Sequence, residues 1–336
     1  MTSFVHLPTR FDSDHGRGLW RLLRCVTCGS NGVEGHELAC SEDHVVCPRC
    51  HARYPLVDGI PVLLGDAKED AMKSSVEHTE GPGRFYEAAF TSNDYPDRDL
   101  SEHEMRIRSI MDKYVPASAA VLEVGSGRGQ LSHLSQRYIA LDLSLTALKR
   151  FIDGPAVCAS AEELPFADIS FGIVITIATL EHVQRPERAF AELDRVLAPG
   201  GVLYLAPAWH VRPWVAEGLP VRPWKGLSMR QKVTKLLIPV LNSTVWRGLV
   251  RIPWRIARRA EWRLVLKRPV SLKYRRLNPN YVTYWMSDSD AACSLDSHEG
   301  ILYFESRGYQ CLSHTNIFRR LFARGDAVVV QKPDRT

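Results

Sequence analysis

Glu123, Gly125, Gly127, Gly129 and Asp142 are the residues whose types and spacing most directly imply chemistry. Val121-Leu122-Glu123-Val124 is an apolar run with an acid near its end, and it leads into glycines at every second position. That arrangement predicts a buried parallel strand whose end turns tightly beneath a ligand and opens a helix. Thirteen residues after Gly129 a second apolar run, Tyr138-Ile139-Ala140-Leu141, ends in Asp142. A carboxylate at the tip of a second strand is placed to accept both hydroxyls of a ribose. A dinucleotide fingerprint needs its third glycine far enough along for a helix N-terminus to reach a pyrophosphate. Here Gly129 comes one position early and Gln130 stands in its place, which favours a nucleoside without phosphates.

A second chemistry belongs to cysteine. Cys25-x-x-Cys28 and Cys47-x-x-Cys50 are separated by 18 residues, a spacing that suits a four-thiolate zinc ribbon in which two tight turns supply a tetrahedral set. Four protein ligands leave no position for water, so the zinc would be structural. Cys40, His36, His44 and His51 lie nearby, but none has a partner at the same short spacing. The stretch Tyr54 to Leu64 then reads as short strands turning at Asp58-Gly59.

Four further segments follow in order. They are Ala161-Glu162-Glu163-Leu164-Pro165-Phe166, Ser170 to Ile175, Thr179-Leu180-Glu181-His182-Val183, and Leu197-Ala198-Pro199-Gly200-Gly201 running into Val202-Leu203-Tyr204-Leu205. With the glycine turn and Asp142, they resemble the class I S-adenosylmethionine-dependent methyltransferases. The resemblance implies an α/β fold, a doubly wound, mostly parallel seven-stranded sheet of the Rossmann-like kind. It also implies S-adenosyl-L-methionine as cofactor. Carried over residue by residue, Glu123 orders the loop and the methionine amino end, while Gly125, Gly127 and Gly129 let the backbone approach. Asp142 takes the ribose, Leu143 packs on adenine, Ala161 and Glu162 flank the adenine edge, and Thr179 lies near the methionine portion. Two positions depart from the family pattern: Ser160 stands where an acid usually precedes the adenine-side Ala, and Gly172 where Asp usually begins the fourth strand. The cysteine segment resembles the small zinc ribbon that precedes certain methyltransferases or activates them as a separate subunit.

The elements that must position these residues divide the 336-residue chain as follows. A zinc ribbon is expected over 20–65, a polar linker with Gly81-Pro82-Gly83 over 66–83, and the core over 84–208 and 286–333. Helices are expected around Phe85-Tyr86-Glu87, with Tyr86 or Tyr95 as lid candidates, and from Glu102 to Tyr114 before Pro116. A helix from Asp296 to Arg307, stopped at Gly308, should precede strands at Tyr309 to Thr315 and Ala327 to Gln331.

Between them, over 209–285, lies a basic insertion. From Arg222 to Arg276 there are sixteen Lys or Arg against one acid, Glu261, whereas the whole chain carries only +5. Arg alternates there with Trp224, Trp246, Trp254, Trp262 and aliphatic residues, as in a pair of amphipathic helices cut into short pieces by Pro239 and Pro253. Three occupants fit residues 222–276: an anionic membrane surface presenting a lipid-linked acceptor, RNA held by its phosphates and by stacking, or nothing beyond the substrate that the segment covers.

With 45% hydrophobic and 24% charged residues the composition is that of an ordinary soluble protein. No stretch approaches the roughly 18 unbroken apolar residues of a membrane span. Residues 1–20 lack an apolar signal core, so the expected location is cytoplasmic, with peripheral attachment at the inner membrane face. Methyl transfer to a hydroxyl is helped by a base, and His182, after the fourth strand, and His210, past the fifth, are the candidates. The favoured function is methylation of an O or N atom of a biosynthetic small molecule, a glycan or lipid-linked acceptor. An rRNA guanine methyltransferase and a catalytically silent binding subunit are the alternatives.

Overall fold

The structure is a computed structural model that describes residues 7–65, 82–92 and 98–334. The expected linker lies almost wholly outside these residues, as does Tyr95. The strands are β1 (Ala39–Cys40), β2 (His44–Val46), β3 (Arg53–Val57), β4 (Ile60–Pro61), β5 (Val121–Val124), β6 (Tyr138–Asp142), β7 (Ala156–Cys158), β8 (Phe171–Ile177), β9 (Leu197–Ala206), β10 (Arg275–Arg276), β11 (Cys293–Ser294), β12 (Gln310–Cys311) and β13 (Val328–Gln331). The α-helices are α1 (Asp14–Trp20), α2 (Pro82–Ser92), α3 (Ser101–Tyr114), α4 (Leu145–Phe151), α5 (Pro186–Val196), α6 (Pro213–Ala216), α7 (Met229–Asn242), α8 (Thr244–Ala260), α9 (Ser297–Glu305) and α10 (Ile317–Leu321).

Seven strands make one sheet in the order β12-β13-β9-β8-β5-β6-β7. β5 pairs in parallel with both β6 and β8, β6 pairs in parallel with β7, and β12 runs antiparallel to β13. This is the doubly wound, mostly parallel sheet that the sequence implied. Every residue of β5 and β7 is buried, as continuous apolar runs should be when helices cover both faces. By its packing the chain divides into two compact units. The first holds the chain up to Ile177 together with Arg188–Tyr204; the second holds Ala178–Glu187 and Leu205–Pro333.

In the first unit the cysteine-bearing segment is built onto the core sheet. β1, β2, β3 and β4 pair antiparallel in order. Asp58 and Gly59 both take left-handed φ, 51° and 75°, which is the primed two-residue turn their sequence suggested. Beyond it Val62 forms a parallel bridge with Cys158, and the Leu63 N–H donates to the Cys158 carbonyl at 2.9 Å. The edge strand β7 is thereby covered rather than left open. The residues before Cys25 are tied in as well. The Arg24 N–H donates to the Pro165 carbonyl at 2.9 Å, and the Ala167 N–H to the Leu22 carbonyl at 2.7 Å. Lys149 adds an ion pair to Asp58 at 2.6 Å.

In the second unit the basic insertion does form a helix pair, but Pro239 and Pro253 do not divide it. Each proline lies inside its helix, α7 and α8 respectively. An interior proline removes one hydrogen bond at a cost of about 3 kcal/mol; both helices bear it and continue. The break falls instead at Ser243, whose hydroxyl accepts the Trp246 N–H at 3.1 Å and caps α8. α8 runs on into one π-helical turn, Glu261–Leu266.

α8 also turns its charge inward. Arg255, Arg258 and Arg259 are buried, 3%, 4% and 5% exposed, while Leu249 is 69% and Ile256 51% exposed. Arg255 donates two bonds to the Asp296 carboxylate at 2.8 and 3.0 Å. Arg258 forks onto Glu299, 3.1 Å to each oxygen, and Arg259 pairs with Glu305 at 2.9 Å. Asp296 caps α9, which carries Glu299 and Glu305. The arginine stripe of α8 is therefore a clamp on the acids of α9, and the apolar stripe faces outward. Removing one partner of such a buried pair leaves the other uncompensated. Arg258→Ala is expected to lower stability by about 3–5 kcal/mol, read by denaturant unfolding; a loss below about 1 kcal/mol would show that the clamp contributes little.

Candidate functional site

β5 ends at Val124, and the turn beyond it is fastened by backbone bonds to the end of β6. Gly125 and Ser126 both donate to the Leu141 carbonyl, at 2.8 and 3.0 Å. Gly125, Gly127 and Gly129 take φ of 76°, 49° and 63°, conformations that a side chain would strain. At Gly129 a Cβ would also lie 2.1 Å from Ile152 Cδ1, so a side chain there would have to displace Ile152 as well. Asp142, last residue of β6, joins the turn from the side. Its Oδ2 accepts the Gly127 N–H at 2.8 Å and its Oδ1 the Ser144 N–H at 2.9 Å, leaving each oxygen a lone pair for a hydroxyl donor. The expected helix after the glycines does not form. Only a 3₁₀ turn, Ser132–Leu134, fits before β6 begins at Tyr138.

Glu123 is buried in β5 and accepts the Tyr138 hydroxyl proton. Burial pushes its pKa up to about 8, against the Tyr138 hydrogen bond and with help from the charge of Asp142. Ser126 Oγ is buried and has no hydrogen-bond partner among the described residues. Leu143 is half-buried just past Asp142. Ala161 and Glu162 form a tight turn in which the Ser160 carbonyl accepts the Glu163 N–H at 3.1 Å, and the Ser160 hydroxyl accepts the Glu162 N–H at 3.2 Å. Ser160 thus shapes the turn with its hydroxyl and its carbonyl. Gly172 has a packing reason: a Cβ there would lie 2.5 Å from the Ala119 Cβ.

Thr179, His182 and His210 belong to the second unit. Thr179 precedes the 3₁₀ turn Leu180–His182, and its carbonyl accepts the His182 N–H at 3.0 Å. His182 is held among acids: Nδ1 is 3.1 Å from Asp290 Oδ2, and Nε2 is 3.8 Å from Glu181 Oε1. Burial opposes charge on the ring, but the Asp290 hydrogen bond and the carboxylates of Glu181, Asp290 and Asp288 outweigh it, raising the pKa to about 9. His210 is the opposite case. Burial lowers its pKa to about 3, Arg251, Arg255 and Arg212 adding to the effect and Asp296 opposing it. Its Nδ1 is 3.6 Å from Asp296 Oδ2, and its Nε2 lacks a hydrogen-bond partner among the described residues. Asp288 and Asp290 were not among the expected site residues, and Asp296 was expected only as the start of a helix. The one available signal was Asp288-Ser289-Asp290, an acidic pair closely following the basic insertion.

In the first unit the four cysteines converge. Cys25 and Cys50 sulfurs are 3.5 Å apart, Cys28 and Cys47 3.6 Å, and all four lie within 4.8 Å of one another. Zn–S bonds of about 2.3 Å in a tetrahedron put the sulfurs about 3.8 Å apart, so the set fits the ion. The Ser30 hydroxyl is 3.1 Å from Cys28 Sγ and 3.2 Å from Cys47 Sγ, and the Tyr54 hydroxyl 3.1 Å from Cys25 Sγ. Such outer hydrogen bonds orient metal-bound thiolates. Cys40 and the neighbouring histidines are not part of the cluster.

A family profile described as a methyltransferase domain matches residues 122–205, the span from β5 to β9. An uncharacterized methyltransferase of Mycobacterium bovis is 31% identical over 136 residues, covering 34% of this chain and 68% of that one. The chain belongs to the class I S-adenosylmethionine-dependent methyltransferases. A demethylmenaquinone methyltransferase of Renibacterium salmoninarum is 39% identical over 98 residues, 27% of this chain and 41% of that protein, so the chain spans under half of that relative's length. Among solved structures, an S-adenosylmethionine-bound amino pentose methyltransferase of Micromonospora echinaspora matches with 22% identity and a TM-score of 0.30, over 40% of this chain and 60% of that one.

For a member of this family, the orphan Ser126 hydroxyl, the spare lone pairs of Asp142 and the buried Glu123 suit the ribose and ammonium groups of the cofactor. Because the folded pKa of Glu123 lies above its unfolded value, its contribution to stability is fully present below about pH 4.5 and is lost as pH rises through about 8. The slope of stability against pH between these values should therefore flatten in Glu123→Gln; an unchanged slope in urea titrations would contradict the assignment. Cys47→Ser should abolish zinc binding. Since the same segment pairs with Cys158, Pro165 and Ala167, cofactor affinity should fall at least tenfold with it; metal analysis and calorimetry read the two losses separately.

Proposed function

We propose that this protein transfers the S-adenosylmethionine methyl group to an O or N atom of a biosynthetic metabolite, a glycan or lipid-linked acceptor met at an anionic membrane face. The cofactor supplies a methyl group already activated on a sulfonium. The chain's own residues have to hold it, align an acceptor and exclude water. Glu123 and Ser126 take the amino-acid end, Gly125, Gly127 and Gly129 provide the floor, and Asp142 holds the ribose hydroxyls. Leu143, Ala161 and Glu162 take the adenine, and Thr179 is assigned to the methionine portion. Zinc on Cys25, Cys28, Cys47 and Cys50 would be structural. Of the two histidines, His210 suits an acceptor hydroxyl better than His182, because its Nε2 is open while both ring nitrogens of His182 face carboxylates, Asp290 and Glu181.

The observation that carries the acceptor class is the outward apolar face of α7 and α8. Leu236, Val240, Val245, Trp246, Leu249 and Ile256 are exposed on helices that also carry Arg230, Lys232, Lys235 and Arg251. An apolar stripe bordered by cations is the composition that seats a helix in the interface of an anionic bilayer. RNA would be gripped by charge and stacking and has less use for exposed aliphatic groups. Among the described residues no helix is long and apolar enough to cross a membrane, so attachment would be at the surface.

With labelled cofactor and a total cell extract, label is expected in the lipid-soluble or glycan fraction and to be lost in Asp142→Ala, whose cofactor affinity should drop about 100-fold through lost charged hydrogen bonds. In the same series, Leu249→Asp should abolish flotation with phosphatidylglycerol vesicles while leaving cofactor binding intact. Label in RNA, or vesicle binding unaltered by Leu249→Asp, would refute the acceptor class; normal affinity in Asp142→Ala would refute the cofactor site.

A further inference from the structure

We propose that Glu181, His182 and Asp288 form a binding site for a divalent cation of the manganese type, with Asp290 as the residue that orients the histidine. All four lie in the second unit, and the inference does not depend on which acceptor is methylated. One ligand atom from each of Glu181, His182 and Asp288 lies within 4.8 Å of the other two. Around an ion with bonds near 2.1–2.2 Å, adjacent ligands stand about 3 Å apart and opposite ones about 4.3 Å. As adjacent ligands, His182 Nε2 and Glu181 Oε1 would close from 3.8 Å to about 3 Å on binding.

Three observations beyond proximity point to a cation. The first is the histidine's orientation. With Nδ1 3.1 Å from Asp290 Oδ2, the ring is turned so that Nε2 lies on the Glu181 side, 3.8 Å from its Oε1. A carboxylate on the far nitrogen is the arrangement that fixes the tautomer of metal-binding histidines. The second is unfilled valence. Glu181 is wholly buried; its Oε1 accepts the Ala208 N–H at 2.9 Å, but its Oε2 has no hydrogen-bond partner among the described residues. Asp288 Oδ1 is likewise buried and without a hydrogen-bond partner. Buried carboxylate oxygens left unbonded are costly, and a bound cation would satisfy both. The third is charge: three carboxylates surround a single imidazole, an excess of acid where little water reaches.

The donor set selects the ion. One imidazole nitrogen with carboxylate oxygens accepts Mn²⁺, whereas four thiolates are the softer set that holds zinc, so the cysteine site is filled with zinc before the second site is tested. Three protein ligands leave positions for water or for an oxygen atom of a bound molecule.

The test uses the full chain with its cysteine site loaded with zinc, titrated with Mn²⁺ alone and followed by electron paramagnetic resonance and calorimetry. One Mn²⁺ per chain is expected, with affinity reduced at least tenfold in Asp288→Asn and between 10- and 100-fold in Asp290→Asn. Asp288 has φ 62°, and asparagine tolerates that conformation, so Asp288→Asn should fold; its melting curve is the control. Glu181→Gln is the second ligand variant. Absence of saturable Mn²⁺ binding at millimolar concentration, or a change of less than threefold in Asp288→Asn, would overturn the site.

Discussion

The Asp142 carboxylate, with one oxygen on the Gly127 N–H and the other on the Ser144 N–H, is the constraint on which the cofactor side of the molecule depends. A turn of alternating glycines has no side chains with which to hold its own shape, and three left-handed residues in five are entropically expensive to order. The bonds from Gly125 and Ser126 to the Leu141 carbonyl and from Gly127 to Asp142 join this turn to the end of the neighbouring parallel strand. The register of β5 on β6, Val124 opposite Leu141, is what brings donor and acceptor together. The residue proposed to hold the ribose is therefore also the residue that shapes this loop.

The cysteine ribbon extends the same sheet. A segment of so few residues has a small apolar core, Trp20, Leu23, Leu38, Val45, Tyr54 and Ile60 being among its buried side chains, and such small units rely on a metal or on a larger partner. This one fits both. Its four sulfurs suit an ion, and its chain continues along β7 and grips the 161–167 segment. The cysteine-bearing segment and the 161–167 turn are thus joined by backbone hydrogen bonds within one unit.

In the second unit charge plays an interior role. Arg255, Arg258 and Arg259 are neutralised by Asp296, Glu299 and Glu305, so the large positive charge counted along the insertion overstates what its surface presents. What remains outside is a mixture of Lys, Arg and aliphatic side chains. That mixture, rather than the net charge, is the basis on which a lipid surface is proposed as partner.

The sequence by itself determined the parallel strands, the glycine turn with Asp142, the cysteine quartet and the Asp58-Gly59 hairpin, because each rests on spacing along a few neighbouring residues. Only the tertiary structure decided which arginines are buried, that Pro239 and Pro253 sit inside continuous helices, that no helix follows Gly129, and that Glu181, His182, Asp288 and Asp290 share one cluster. These depend on contacts between residues up to about a hundred positions apart. A side chain's local spacing says which face of a helix it occupies, but not whether acid, solvent or lipid lies opposite.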